Sequence, residues 1–392
     1  MAKKYFSGLT GNTYLLTFTS LFADISTEML YPVLPIFLTQ YLHTGGSMVG
    51  LIEGIATATQ YIQQGVSGWI SDKLQKRKAI ALVGYTLAAL SKPLIGLSTI
   101  WQGVLFGRFL DRFGTGTRSA PRYALVAESA DAQNRGKAFG LEGAGDNLGA
   151  FLGPLLAIVL LFYFRVPIRS MFYLAIFPGL LAVSMVLLVT EKKRVSVRSK
   201  YKLDTGLNKF PKTYWKYLAV IAVFGLGNIS SSFMILQTRN IGIPLILTIF
   251  IYALFNLVAA LASYPAGTLS DKLGRKKVLF FSFLAFLLTL LGFAMTKNAL
   301  VIAFLFALYG VSQGIFRSVG NAYAGDLVPS ELRASGIGWF NTTVGLSALI
   351  ASIAGGQLYD RISHPSVFLY AAVFTGLGTL LLLLHKNSNP HP

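Results

Sequence analysis

Asp24 and Glu28 stand four residues apart in an apolar stretch, so they share one helix face. Arg108, Asp111 and Arg112 follow the spacing i, i+3, i+4, with Arg118 beyond them. Asp146 lies in a glycine-rich apolar run. Ionisable residues in such surroundings are expensive and are functional candidates by default. A carboxylate beside an arginine stays ionised more readily, whereas one against an apolar wall holds a proton nearer neutral pH. Acids in such different settings can alternate between charged and neutral forms. The predicted chemistry is proton exchange, with Asp24, Glu28, Asp111 and Asp146 as carriers. Arg108, Arg112, Arg118 and Arg317 are candidates for a proton relay or for clamping an anionic solute. The bland alternative is that Asp111 and its arginines form a structural ion pair.

Other chemistries find no residues. There is no cysteine, so no thiolate ligand or nucleophile. His43, His364, His385 and His391 lie near helix ends or in the tail, without metal spacing. A phosphate-binding glycine loop with lysine is missing. The expectation is a protein that is not an enzyme and takes no cofactor or metal.

The elements that position these charges are apolar. Of 392 residues 54% are hydrophobic, 13% aromatic and only 12% charged, half the charge of a typical soluble domain. Twelve apolar stretches of about 20 residues appear, at roughly 12–39, 47–70, 79–98, 100–124, 138–163, 167–190, 214–238, 244–269, 278–296, 299–323, 335–359 and 365–385. They lack two-residue alternation, which predicts helices and not barrel strands. The first is too long for a cleavable signal peptide and contains two acids and two prolines. The net charge of +19 sits in short basic clusters between the stretches, which points to a bilayer and not to nucleic acid. With the N-terminus cytoplasmic, about 24 of the 34 Lys and Arg face the cytoplasm and six lie opposite. Both termini are therefore expected to be cytoplasmic.

The chain repeats. Gly68-Trp-Ile-Ser-Asp72 leads to Lys76-Arg77-Lys78, and Gly267-Thr-Leu-Ser-Asp271 leads to Gly274-Arg275-Lys276-Lys277, at an offset of 199 residues. Arg118 and Arg317 share that offset, while Glu128 and Asp326 lie 198 apart. These copies resemble the loop signature G-x-x-x-D-x-x-G-R-[K/R] of the major facilitator superfamily. The first copy departs from it, with Gln75 for Gly and Lys76 for Arg. The resemblance implies an all-α membrane protein with twelve transmembrane helices in two pseudo-symmetric six-helix halves. The halves are expected at 1–190 and 214–392, joined by a basic cytoplasmic linker at 191–213. It also implies a gating role for Gly68, Asp72, Arg77, Gly267, Asp271, Gly274 and Arg275. On physical grounds the two glycines allow close helix approach, and the two aspartates cap a helix or pair with an arginine.

Arg112 and Gly116 match the superfamily's span-four pattern, in which an arginine four residues before a glycine helps to relay protons. Gly140, Gly149, Gly153 and Pro154 match most of its antiporter motif, although Ala157 and Ile158 replace two glycines. Generic small-residue packing explains the same glycines. Lys92 is read as structural, snorkelling outward or neutralising a neighbouring carboxylate. Arg122 is placed with the loop cations, and Glu142 at the cytoplasmic boundary. The second half offers neutral polar groups, Asn228, Asn256, Gln313 and Asn341, as an amide-lined wall. The expected function is a proton-coupled secondary transporter exporting a small organic solute by antiport across a bacterial inner membrane, as a monomer. Two alternatives stand: proton-coupled uptake of an anionic metabolite or chelator, and a non-transporting membrane receptor or scaffold.

Overall fold

The computed structural model describes residues 8–191, 210–329 and 332–385, with the side chains of Asp72, Ala132 and Ala334 left out. Most of the 191–213 linker lies outside these residues. Among the described residues every regular element is a helix. The rods are α1 Gly11–Glu28, α2 Gly46–Leu74, α3 Arg77–Leu97, α4 Trp101–Glu128, α5 Arg135–Ile158, α6 Ile168–Leu188, α7a Lys212–Leu226 with α7b Ser232–Asn240, α8 Leu245–Leu273, α9 Arg275–Met295, α10 Ala299–Asp326, α11 Arg333–Arg361 and α12 His364–Leu384. They follow the order of the predicted stretches. Eight are long and apolar enough to cross a membrane. The α4 helix is not among them, because Arg108, Asp111, Arg112, Arg118 and Arg122 all lie within its 28 residues.

The breaks have local causes. After α1 the chain turns through 29–33 and resumes as short helices at Leu34–Ile36 and Phe37–Tyr41. Pro32 and Pro35 lack the N–H groups that a continuous helix needs. Between α7a and α7b, Asn228 sits in a non-helical segment. There Gly227 meets α12 so closely that an added methyl would lie 2.5 Å from Ala371 O.

The described chain forms two compact units. The first holds 8–37 and 59–191; the second holds 38–58, 210–329 and 332–385. The opening turns of α2 thus belong with the second unit, where Asp360 of α11 secures them. Its carboxylate accepts from Gly46 N at 2.7 Å, Ser47 N at 2.8 Å and the Ser47 hydroxyl at 2.5 Å. An anion at a helix N-terminus satisfies orphan donors and complements the dipole. Gly356 fits against Gly46 with no room for a side chain.

Inside the first unit, glycines set the helix spacing. A methyl on Gly145 would lie 2.6 Å from Thr17 O, and one on Gly153 would lie 2.8 Å from Met29 N. Gly149 meets Leu21 in the same way, so α5 lies directly on α1. Gly114 and Gly84 bring α4 and α3 equally close. Gly140 has open space beside it, so the antiporter-like run acts in packing through Gly149, Gly153 and the buried Pro154.

A comparison of two substitutions tests this packing. Gly145→Ala forces two backbones apart and is expected to destabilise the protein by about 1–3 kcal/mol. Gly140→Ala adds a helix-favouring methyl to open space and should leave stability unchanged or slightly raised. Thermal unfolding in detergent reads both, and equal midpoints would contradict the glycine-packed interface.

Candidate functional site

The charges of the first unit line α4. Arg108, Arg112, Arg118 and Arg122 recur along its length, at about 1.5 Å rise per residue. Neighbouring helices bring partners to them. Near its start, Asp111 receives three cations: Arg108 Nη1 at 2.8 Å, Lys92 Nζ at 3.4 Å and Arg112 Nε at 3.6 Å. Lys92 reaches it from α3, so of the two structural roles read for this lysine the neighbouring carboxylate is the one observed. Arg112 also donates to Gln60 of α2 at 3.0 Å, and Arg108 lies over the Tyr31 ring. Asp111 and Arg108 are buried. The buried pairing satisfies groups that would otherwise face apolar surroundings unpaired.

One to two turns further along, Arg118 faces Asp24 of α1. Its Nη2 lies 3.8 Å from the carboxylate, within ion-pair reach but beyond a hydrogen bond. Its guanidinium stacks on Tyr85 of α3 at 4.4 Å. The Arg118 side chain is 5% exposed, and its Nε and Nη1 have no hydrogen-bond partner among the described residues. The Asp24 side chain is 20% exposed. The partner of Asp24 is therefore Arg118, six residues beyond the arginine that matches the relay pattern. Glu28 ends α1 half-buried, one turn from Asp24.

At the next turn stands a group the sequence reading misplaced. Arg122 lies within α4 and is buried, not in a loop. It pairs with Glu142 at 3.1 Å and Asp146 at 3.0 Å, both from α5. The Ser20 hydroxyl of α1 accepts from Arg122 at 2.8 Å and donates to Glu142 at 2.6 Å. Glu142 is likewise buried and belongs to this network. The missed signal was the spacing of Arg118, Arg122, Glu142 and Asp146 at four-residue intervals. Asp146 remains 39% exposed. Formal charges across the three clusters balance: Asp24, Glu28, Asp111, Glu142 and Asp146 against Lys92, Arg108, Arg112, Arg118 and Arg122.

The loop signature works through a different register than the aligned letters imply. Helix α2 ends at Leu74 and α8 at Leu273, 199 apart, but α3 and α9 begin at Arg77 and Arg275, 198 apart. The first loop has one extra residue. Gln75 takes the left-handed turn at φ 52° that Gly274 takes at φ 92°. Arg77 then corresponds to Arg275. Arg77 pairs with Glu128, and Arg275 pairs with Asp326 at 3.1 Å and Asp271 at 2.6 Å. Lys78 and Lys276 correspond too: Lys78 donates to Leu187 O at 2.8 Å, and Lys276 to Leu383 O at 3.0 Å and His385 O at 2.5 Å. The departure of the first copy is thus an insertion that preserves its contacts. Gly68 lies near Ala120 of α4, but Gly267 faces open space, against the expected close approach. The Asp72 side chain lies outside the described residues.

The candidates of the second unit are dispersed. Gln313 is buried in α10, while Asn228, Asn256 and Asn341 are half-buried in the α7 break, α8 and α11. Among the described residues no hydrogen bond joins Asn228, Gln313 and Asn341 to one another. Arg317 is exposed, unlike its repeat mate Arg118.

The sequence matches the Major Facilitator Superfamily over residues 16–241 and 218–392. A relative from Methanocaldococcus jannaschii, described as an uncharacterized MFS-type transporter, is 36% identical over 382 residues, covering 96% of this chain and 95% of the relative. Multidrug resistance protein 2 of Bacillus subtilis is 23% identical over 385 residues, covering 94% of each. The crystal structure of a single-residue mutant of the nucleoside transporter NupG superposes with a TM-score of 0.82 at 14% identity, over 96% of this chain and all of that one, which shows a shared fold. The chain belongs to the major facilitator superfamily and is a multi-pass membrane transporter of that fold.

The buried network and the exposed loop pair differ in energetic weight. Arg122→Met strands Glu142 and is expected to destabilise by about 3–5 kcal/mol. Arg275→Met removes a half-exposed pair and should change stability by less than about 1 kcal/mol. The double variant Arg122→Met with Glu142→Gln should recover part of the loss, because the buried Glu142 charge is removed and only the part-exposed Asp146 is left without its arginine. Thermal unfolding that ranks Arg275→Met as the more harmful change would reject this assignment.

Proposed function

We propose that this transporter exports a small organic solute by proton antiport and alternating access in the cytoplasmic membrane, as a monomer with both termini cytoplasmic. The observation that carries the reading is the Asp24–Arg118 pair. At 3.8 Å the carboxylate gains charge stabilisation without a hydrogen bond from the guanidinium. Asp24 can therefore take a proton without breaking a hydrogen bond to Arg118, which keeps its stacking on Tyr85. Its partial exposure gives protons and solutes access, unlike the enclosed Asp111. Asp146, also part-exposed and held by Arg122, is a second carrier.

The charge balance supports export. An anionic solute needs surplus cations, but the four α4 arginines and Lys92 stand against an equal number of acids. Lys92 and the α4 arginines face carboxylates at 2.8–3.8 Å. Carboxylates that give up a proton to receive a cationic or neutral solute fit export. The multidrug resistance for which the Bacillus subtilis relative is named points the same way. The Asn228, Asn256, Gln313 and Asn341 amides then serve the solute as uncharged hydrogen-bonding groups. The Arg77 and Arg275 loops act as gate elements on the cytoplasmic side.

Purified protein in proteoliposomes with an imposed pH gradient tests this, with ethidium as the lipophilic-cation probe. Wild type is expected to drive ethidium against its gradient, and Asp24→Asn to fall to the level of empty vesicles with an unchanged unfolding midpoint. Arg112→Lys should transport more slowly, since lysine cannot bridge Asp111 and Gln60 as a planar fork does. Full ethidium transport by Asp24→Asn overturns the assignment. A wild type that is stabilised by polycarboxylates and not by lipophilic cations overturns the export reading.

A further inference from the structure

Lys92 is a buried titratable group that the transport reading leaves unused. It lies in α3 at 3% exposure. Its Nζ donates to Ala88 O at 2.8 Å and stands 3.4 Å from Asp111 Oδ1. The other carboxylate oxygen, Oδ2, is engaged by Arg108 at 2.8 Å and approached by Arg112 at 3.6 Å. Of these three cations only the lysine can release its proton in a protein, because a guanidinium cannot be deprotonated. A neutral amine still has two N–H groups, enough to serve both Ala88 O and Asp111 Oδ1. Both hydrogen bonds of Lys92 can therefore persist in either of its protonation states.

Beside the cluster is a small cavity with room for about one water molecule. Its wall includes Lys92, Asp111, Arg108, Thr27 and Tyr31. Thr27 follows Asp24 by three residues and precedes Tyr31 by four. Thr27 thus brings the α1 face that carries Asp24 to the cavity wall. The charged groups that act on Lys92 or line the cavity with it are Arg108, Asp111, Arg112 and Arg118, all from α4; α1, which contributes Thr27 to the same wall, carries the acids Asp24 and Glu28. From α6, also packed on α3, comes Arg169, which donates to Ser98 O at 3.3 Å.

We propose that Lys92 is a proton-transfer residue, linked through this cavity to the acids of α1. The inference rests on the proton-coupled reading above. An N–H bond of the Lys92 ammonium breaks, water in the cavity takes the proton, and that water passes one on to an α1 carboxylate. No electron changes hands, and a proton arriving at the amine resets it. Asp111 stays anionic throughout, held by Arg108 and Arg112.

The first test needs no solute. Full-length protein with 15N-labelled lysine side chains, in lipid nanodiscs, is followed by NMR from about pH 5 to 10. The Lys92 signal is identified by its loss in Lys92→Arg, or in Lys92→Gln where the arginine variant does not fold. It is expected to lose its ammonium form at a lower pH than the exposed lysines of the same sample do. An ammonium that persists to about pH 10 overturns the proposal and leaves Asp24 as the proton site. The second test uses the ethidium proteoliposomes. Lys92→Arg keeps the charge but cannot give up a proton, so gradient-driven flux should fall at least about tenfold and lose its pH dependence. Wild-type flux and pH profile in Lys92→Arg overturn the role of Lys92 alone. A wild type whose ethidium flux ignores the pH gradient overturns the coupling on which the role rests.

Discussion

Everything in the first unit depends on how α4 keeps five embedded charges in a low-dielectric setting. An uncompensated ion there costs several kcal/mol, and one helix carries Arg108, Asp111, Arg112, Arg118 and Arg122. Such a segment has no stable place as an isolated span. It becomes tolerable only when α1, α2, α3 and α5 bring Asp24, Gln60, Lys92, Glu142 and Asp146 to it. The glycines are the steric side of the same requirement. Gly114 and Gly116 admit the backbones of α3 and α2 to within contact of α4, and Gly145 and Gly153 do so between α5 and α1. Short side chains could not span a wider gap between helix axes.

Much of this was legible in the residues because membrane insertion imposes strong periodicity and length rules. The apolar stretches, the six-plus-six repeat and the acids of span one needed no tertiary information. What failed was depth. Arg122 and Glu142 looked like boundary residues because apolar stretches were counted from hydropathy, and hydropathy falls where charges cluster. The helix does not end there: α4 runs on to Glu128 and α5 starts at Arg135. The choice between Arg112 and Arg118 as the partner of Asp24 was equally closed to sequence. Both lie on α4, and only the rotation of α4 against α1 decides which guanidinium arrives.

The repeat was legible at the loops and misleading inside the helices. Alignment by letters paired Gln75 with Gly274 and Lys76 with Arg275. The fold instead absorbs one extra residue by putting Gln75 in the left-handed region, and Arg77 recovers the position of Arg275. A loop contact between an arginine and the end of the fourth helix of each half is thus maintained despite the insertion. The embedded residues are under no such symmetry. Arg118 is buried against Asp24, whereas Arg317 at the same offset is exposed. One half has concentrated ion chemistry, while the other keeps amides in comparable helices.

This concentration makes the clusters unequal as points of control. Asp111 of α4 holds Lys92 of α3 at 3.4 Å, and Arg122 of α4 holds Asp146 of α5 at 3.0 Å, so discharging an acid there weakens contacts that tie helices together. Asp24 differs. Its contact with Arg118 is long, its side chain is partly open, and the guanidinium is also supported by the Tyr85 ring. Neutralising Asp24 changes the field at α4 while the adjoining ion pairs above and below keep the helices in register. A unit built this way can lose the charge of Asp24 and keep the contacts that hold its helices together.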